Sequence, residues 1–314
     1  MSTLDSWSLE DSWDSWDSWS THGSSSAPLT MLPQALALTT ELLVYGPSSK
    51  GPMDRPARWP GTRSDSNLRS LSPSIRSQIV VTELLRVVEL SVEGGDVVLT
   101  GPHGGRQPIE RPSPDDFRRE LDRVESLAEL RAERLPEILS QLEYSPTFWA
   151  EALPLNRRET PFTLELMATS VMFASFVIQR VKATFNLPRP PQLSPRIQPI
   201  IPIPPYSTFP SGHATESALV ANLLTWLVFD ERDDTSDAFK LWREHVTKMY
   251  QLLAERIAEN RVVAGIHFPV DTVGGQKLAS GLLGVLKSEA RAPSGGLASF
   301  RWLFEQAWAE WSVT

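Results

Sequence analysis

Cysteine is absent from all 314 residues, which excludes a disulfide framework and a thiolate metal site. Positive charge is also short: 30 lysines and arginines stand against 38 aspartates and glutamates, for a formal net charge of −8. That balance argues against a nucleic-acid or anionic-membrane surface, so a cluster of basic residues reads as a local anion site. No basic start precedes an apolar run at the N-terminus, so no secretory signal is expected and the expected compartment is the cytoplasm. Long apolar runs are scarce too. Met31 to Val44 is too short to span a membrane, and the long apolar stretch Phe162 to Phe185 is interrupted by Glu165 and Arg180 and has no companion. No transmembrane span is therefore expected; a helix central to a soluble bundle accounts better for that stretch.

What is present is an ordinary globular composition, 41% hydrophobic and 22% charged, enough for one sizeable core. Residues 1–30 are the exception. Asp-Ser-Trp occurs there four times, ending at Trp7, Trp13, Trp16 and Trp19, in a segment too polar and repetitive to form a core, so a disordered tail is expected. Residues 31–112 read as an N-terminal extension packing on a bundle, with a Pro/Gly/Ser-rich stretch from Gly46 to Pro60. A helix is expected over Ile75 to Val92, stopped by Gly94-Gly95, then a small hairpin or irregular loop at Asp96 to Gly105. His103 reads as a surface residue of that loop.

Residues 113–314 read as an all-α domain. Ser113-Pro114-Asp115-Asp116 has a cap, a proline at the first helical position and acids in the first turn. It opens a buried stripe running Phe117, Leu121, Val124, Leu127, Leu130, Leu135, Ile138, Leu139 and Leu142, with a kink or break expected near Pro136. Ser145-Pro146 and Thr160-Pro161 start a short helix and the long one. The proline-rich stretch between Arg189 and Pro210 should be extended and should wall a pocket, with Tyr206 and Phe209 as candidates to face it. A helix after His213 ends near Asp230. The next runs Ala238 to about Val263 with Leu241, Val246, Met249, Leu252, Leu253 and Ile257 inward and His245 at the surface. Pro269 opens another helix, and about Leu297 to Trp311 forms the last.

Three pieces carry chemistry: Lys182 with Arg189-Pro190, then Pro210-Ser211-Gly212-His213, then Arg261 with His267 and Asp271. Two arginines and a lysine supply charge-assisted hydrogen bonds to a tetrahedral dianion. Ser211 and Gly212 open an apolar helical run, where free backbone N–H groups and the helix dipole can hold the same anion. Any one piece alone reads as a helix cap, a solvated helix end or a structural pair.

In this order and spacing, K-x6-R-P, P-S-G-H and R-x5-H-x3-D resemble the signature of the type 2 phosphatidic acid phosphatase (PAP2) superfamily, which also holds class A acid phosphatases and vanadium haloperoxidases. The resemblance covers roughly residues 160–290 and implies a helical bundle of that type. It implies that His267 attacks phosphorus, that His213 protonates the leaving oxygen and later activates water, and that Asp271 holds the His267 tautomer. Lys182, Arg189, Ser211, Gly212 and Arg261 would bind phosphate. Asn260 departs from the serine that usually precedes the arginine, and can still donate a hydrogen bond.

The implied activity is a soluble, metal-independent phosphomonoesterase that acts on a small-molecule phosphoester without a cofactor, as a monomer or a homo-oligomer, with no nucleic-acid partner. The alternative is a vanadium-dependent haloperoxidase, in which vanadate sits on His267 as cofactor and halide and hydrogen peroxide are the substrates. P-S-G-H-A-T resembles both, while the chain is shorter than usual for haloperoxidases and shows no additional histidine or tryptophan beside the motifs for a halide site.

Overall fold

A computed structural model describes residues 65–312 apart from 231, 233, 235 and 293–296. The expected tail with its Asp-Ser-Trp repeats, the apolar run Met31 to Val44 and the stretch Gly46 to Pro60 lie outside the described residues, as does the side chain of His103.

The described chain starts with α1 (Asp65–Ser70) and α2 (Pro73–Arg86), the latter capped by the Ser72 hydroxyl. The expected helix to Val92 stops six residues early. Glu89–Glu93 is instead strand β1, paired antiparallel with β2 (Asp96–Thr100), and Gly94-Gly95, both at positive φ, form the turn between them. β3 (Arg106–Ile109) completes a three-stranded sheet of order β1-β2-β3. The β-branched content of Val87 to Val92 and its pairing with Val97 and Val98 outweigh its weak helical spacing.

α3 (Pro114–Leu127) is held by a complete capping box between Ser113 and Asp116. A 3₁₀ turn at Ala128–Leu130 breaks it from α4 (Arg131–Ser140), so the break falls before Pro136, which sits inside α4. The stripe also ends sooner than expected: Leu135, Leu139 and Leu142 are exposed, because α4 buries only the side that carries Ile138.

The long apolar helix is α5 (Pro161–Phe185). Asn186 ends it in the left-handed conformation, its N–H bonding the Lys182 carbonyl. Within the stretch expected to be wholly extended, α6 (Pro190–Leu193) forms one helical turn, since prolines at its first two positions need no N–H donor there. α7 (Gly212–Thr225) continues through a π-helical turn at Trp226–Asp230. α8 (Asp237–Val263), α9 (Pro269–Arg291) and α10 (Ala298–Ala309) complete the bundle. On α8 Leu241 is 68% exposed and Leu252 is also exposed, contrary to the inward face expected of them; His245 is exposed as expected.

α7 is the hub, packing against α9, α8 and α5. α2 and α10 cover the far side of α5, and β3 lies on α9. The main core joins α2, β2, α5, α7, α9 and α10 through residues such as Leu84, Leu99, Phe173, Leu223 and Phe300. A smaller cluster of Phe117, Ile138, Ile197, Val263 and Phe268 supports the turn that carries His267. Segment Pro161–Leu193 is long and apolar enough to cross a membrane by length and composition; 67% of its most apolar window is buried by the rest of the chain.

Candidate active site

The three sequence pieces converge where α5, α7, α8 and α9 meet at one end of the bundle. The left-handed turn at Asn186 reverses the chain just after Lys182, so that Arg189 returns beside it. Both are almost completely buried, and both are held by the 206–208 backbone. Lys182 Nζ donates to the carbonyls of Ser207 (2.7 Å) and Thr208 (2.9 Å); Arg189 donates to Tyr206 (3.0 Å) and Ile266 (2.8 Å). Tyr206 rests over both cations, 5.4 Å from each to its ring centroid, and is 47% exposed, so it sits at the rim. Phe209, the other pocket-facing candidate, is core instead: it packs on Phe185 and against Gly274, where an added Cβ would lie 2.2 Å from its ring.

The N-terminus of α7 is brought in by α9. Gly275 allows this, since a Cβ there would fall 2.8 Å from the Ser211 carbonyl oxygen and 3.1 Å from the Thr215 nitrogen. The Ser211 N–H, expected to be free for an anion, donates to the Asp271 carbonyl (3.0 Å). The first-turn N–H groups of Gly212 and His213 have no partner within the helix, and an added Cβ at Gly212 would meet open space. The Ser211 hydroxyl accepts from Ala214 N and keeps its own proton to donate.

Arg261 emerges at the end of α8, wholly buried. Its Nη2 donates to the Ile138 carbonyl (2.9 Å) and the Gln141 amide oxygen (3.3 Å), while Nε and Nη1 have no protein partner. Buried cationic donors without acceptors are costly, and a tetrahedral oxyanion would satisfy them. Phosphate and vanadate fit this donor set equally.

His267 and Asp271 are four residues apart across the start of α9. Nδ1 of His267 lies 2.9 Å from Asp271 Oδ2, which also accepts the Phe268 N–H (2.9 Å) and the Thr208 hydroxyl. Nδ1 thus carries the proton and Nε2 has a free lone pair. On α7, His213 Nε2 donates to the Gln141 backbone carbonyl (2.9 Å), which leaves Nδ1 as the atom available for proton transfer.

Burial and mutual repulsion shape the ionisation of the ligand-free site. Lys182 is pushed down to about 7, first by burial and then by Arg189. Burial with the Arg261 charge takes His213 down to about 3, and burial with Lys182, Arg189 and Arg261 holds His267 well below the usual imidazole range. Burial raises Asp271 to about 6 against the hydrogen bonds from Thr208 and Phe268, and raises Glu216, one turn beyond His213, to about 7. A bound dianion would supply a counter-charge and oppose these shifts on Lys182 and the two histidines.

Lys182, Arg189, Ser211, Gly212, His213, Arg261, His267 and Asp271 all face this region. Thr208 and Gln141 were not singled out by the sequence reading. Thr208 lay two residues before Pro210 with no motif of its own, and Gln141 is more than seventy residues from every partner in the site except through the fold.

The PAP2 superfamily matches over residues 164–288. A solved structure described as the first transmembrane PAP2 type phosphatidylglycerolphosphate phosphatase from Bacillus subtilis is similar at 15% identity and a TM-score of 0.31, over 68% of this chain and 84% of that one. Comparison with curated protein sequences gives no match. The residues that the PAP2 superfamily matches include Lys182, the P-S-G-H turn and the Arg261-His267-Asp271 segment.

Proposed function

We propose that this protein is a soluble hydrolase of small-molecule phosphomonoesters that works through a phosphohistidine on His267 and needs no metal ion. The observation that carries the reading is the pairing of a nucleophile with an unfilled anion cradle: His267 Nδ1 is engaged by Asp271, and two nitrogens of buried Arg261, Nε and Nη1, have no acceptor. With Lys182, Arg189 and the Gly212 N–H, Arg261 supplies the charge that a divalent cation would otherwise bring to the phosphoryl oxygens.

In the first step His267 Nε2 attacks phosphorus, the bond to the ester oxygen breaks, and His213 gives that oxygen its proton. In the second, His213 takes a proton from water, which attacks phosphorus; the P–N bond breaks and inorganic phosphate leaves. The dianion in the cradle is what raises His213 enough to carry the first proton. Burial of 67% of the most apolar window of Pro161–Leu193 within the bundle supports the soluble reading.

The test is hydrolysis of p-nitrophenyl phosphate in excess EDTA by the wild type and by His267→Ala. Metal-free turnover with competitive inhibition by vanadate, lost in a folded His267→Ala protein, is the expected result. Substantial hydrolysis by that variant, or efficient vanadate-dependent halogenation by the wild type, overturns the reading.

A further inference from the structure

Gln141 follows the end of α4, outside residues 164–288, yet it touches both sides of the anion site. Its backbone carbonyl accepts from His213 Nε2 at 2.9 Å. Its side-chain oxygen accepts from Asn260 Nδ2 at 2.9 Å and from Arg261 Nη2 at 3.3 Å, and its Nε2 donates to Glu137 at 3.4 Å. The residue is buried, and Ile138, one turn earlier, accepts a second bond from the same Arg261 nitrogen. The two orienting contacts of the guanidinium therefore come from the last turn of α4 and from its cap, and the same cap residue supplies the contact that sets the His213 tautomer.

We propose that Gln141 is a positioning residue of the phosphoryl-transfer site, which aims the unpartnered Nε and Nη1 edge of Arg261 at the anion and couples that aim to the orientation of His213. The physical reason is geometric. A guanidinium binds two oxygens only when its plane is fixed, and two acceptors on Nη2 fix it from behind while the opposite edge stays bare. Asn260 completes the arrangement: its amide reaches the same Gln141 oxygen, so the position before Arg261 anchors the α4 end to the α8 end. The proposal rests on the anion-site reading above and assigns that site a part from the N-terminal half of the chain.

Two measurements on the full chain separate this idea from the hydrolase reading: binding of inorganic phosphate and of vanadate by calorimetry, and p-nitrophenyl phosphate kinetics. Gln141→Met keeps the volume and removes the acceptor. It should weaken anion binding and raise KM about tenfold, since the charged hydrogen bond that aims Arg261 is lost, with a modest drop in melting temperature because the buried Asn260 amide loses its acceptor as well. In an Arg261→Met background the same change should have no further effect on anion affinity, which a merely structural role would not produce. Should Arg261→Met fail to fold, Asn260→Ala is the second arm, expected to reproduce a smaller part of the Gln141→Met loss. Unchanged anion affinity in folded Gln141→Met, or full additivity with Arg261→Met, overturns the proposal. A wild type that binds phosphate but hydrolyses nothing would sink the hydrolase reading alone, and the Gln141 effect on binding would still be decided.

Discussion

Nδ1 of His267 lies 2.9 Å from Oδ2 of Asp271, and the same oxygen takes the Phe268 N–H and the Thr208 hydroxyl. One carboxylate oxygen thus holds the ring, the turn that carries it and the loop before P-S-G-H. Replacing that oxygen changes which ring nitrogen bears the proton. In Asp271→Asn the amide can donate to Nδ1 and move the proton to Nε2, which abolishes the free lone pair. A fall in kcat on the order of 10³–10⁴-fold is expected, with KM altered far less. Circular dichroism and KM would show whether the site is still assembled; a variant with near-normal kcat would remove the tautomer role from Asp271.

The ligand-free site is short of negative charge, and this gives anion binding a pH dependence of definite sign. Lys182, lowered to about 7, is largely neutral in mildly alkaline solution, and a bound dianion favours its cationic form. Phosphate or vanadate binding should therefore take up protons, up to about one at Lys182. Affinity should fall as pH rises above about 7. For the free protein the sign is opposite: the unfolded chain holds the Lys182 proton up to its ordinary 10.5, so this group makes stability rise with pH between about 7 and 10.5. Calorimetry in buffers of different ionisation enthalpy checks the first point, and proton release on binding would contradict it.

Glu165, which interrupts the apolar run of α5, is buried and paired with buried Arg76 of α2 at 2.8 Å from Nε. Glu165→Ala leaves the buried guanidinium with the Leu68 and Leu71 carbonyls and the Phe162 and Trp302 rings but no counter-charge beside it. The expected cost is about 3–5 kcal/mol, read as a large drop in the denaturation midpoint. Replacing both partners by methionine should recover much of it. An exposed pair would cost about 0–1 kcal/mol, so a small effect would refute the burial argument.

How the site could be read from sequence depends on the range of the forces that build it. Ser113, Pro161, Pro269 and the hydroxyl caps act within a few residues, and so does the four-residue step from His267 to Asp271. The helix starts and the contents of the three motifs were therefore legible, together with the all-α class. Local signals failed where partners compete. Glu89–Glu93 became a strand because Asp96–Thr100 pairs with it; Leu135, Leu139 and Leu241 lie on helix faces that stay exposed. Phe209 was drawn into the core by the space that Gly274 leaves, not into the pocket.

The sequence by itself determined which residues carry charge and nucleophilicity, since these are properties of side chains and short spacings. Only the tertiary structure decided how they are aimed. Thr208 reaches Asp271 across sixty-three positions, and Gln141 reaches Asn260 across one hundred and nineteen. Such contacts exist because helix packing buries polar groups that must then find partners wherever the fold places them, and no local pattern records that choice.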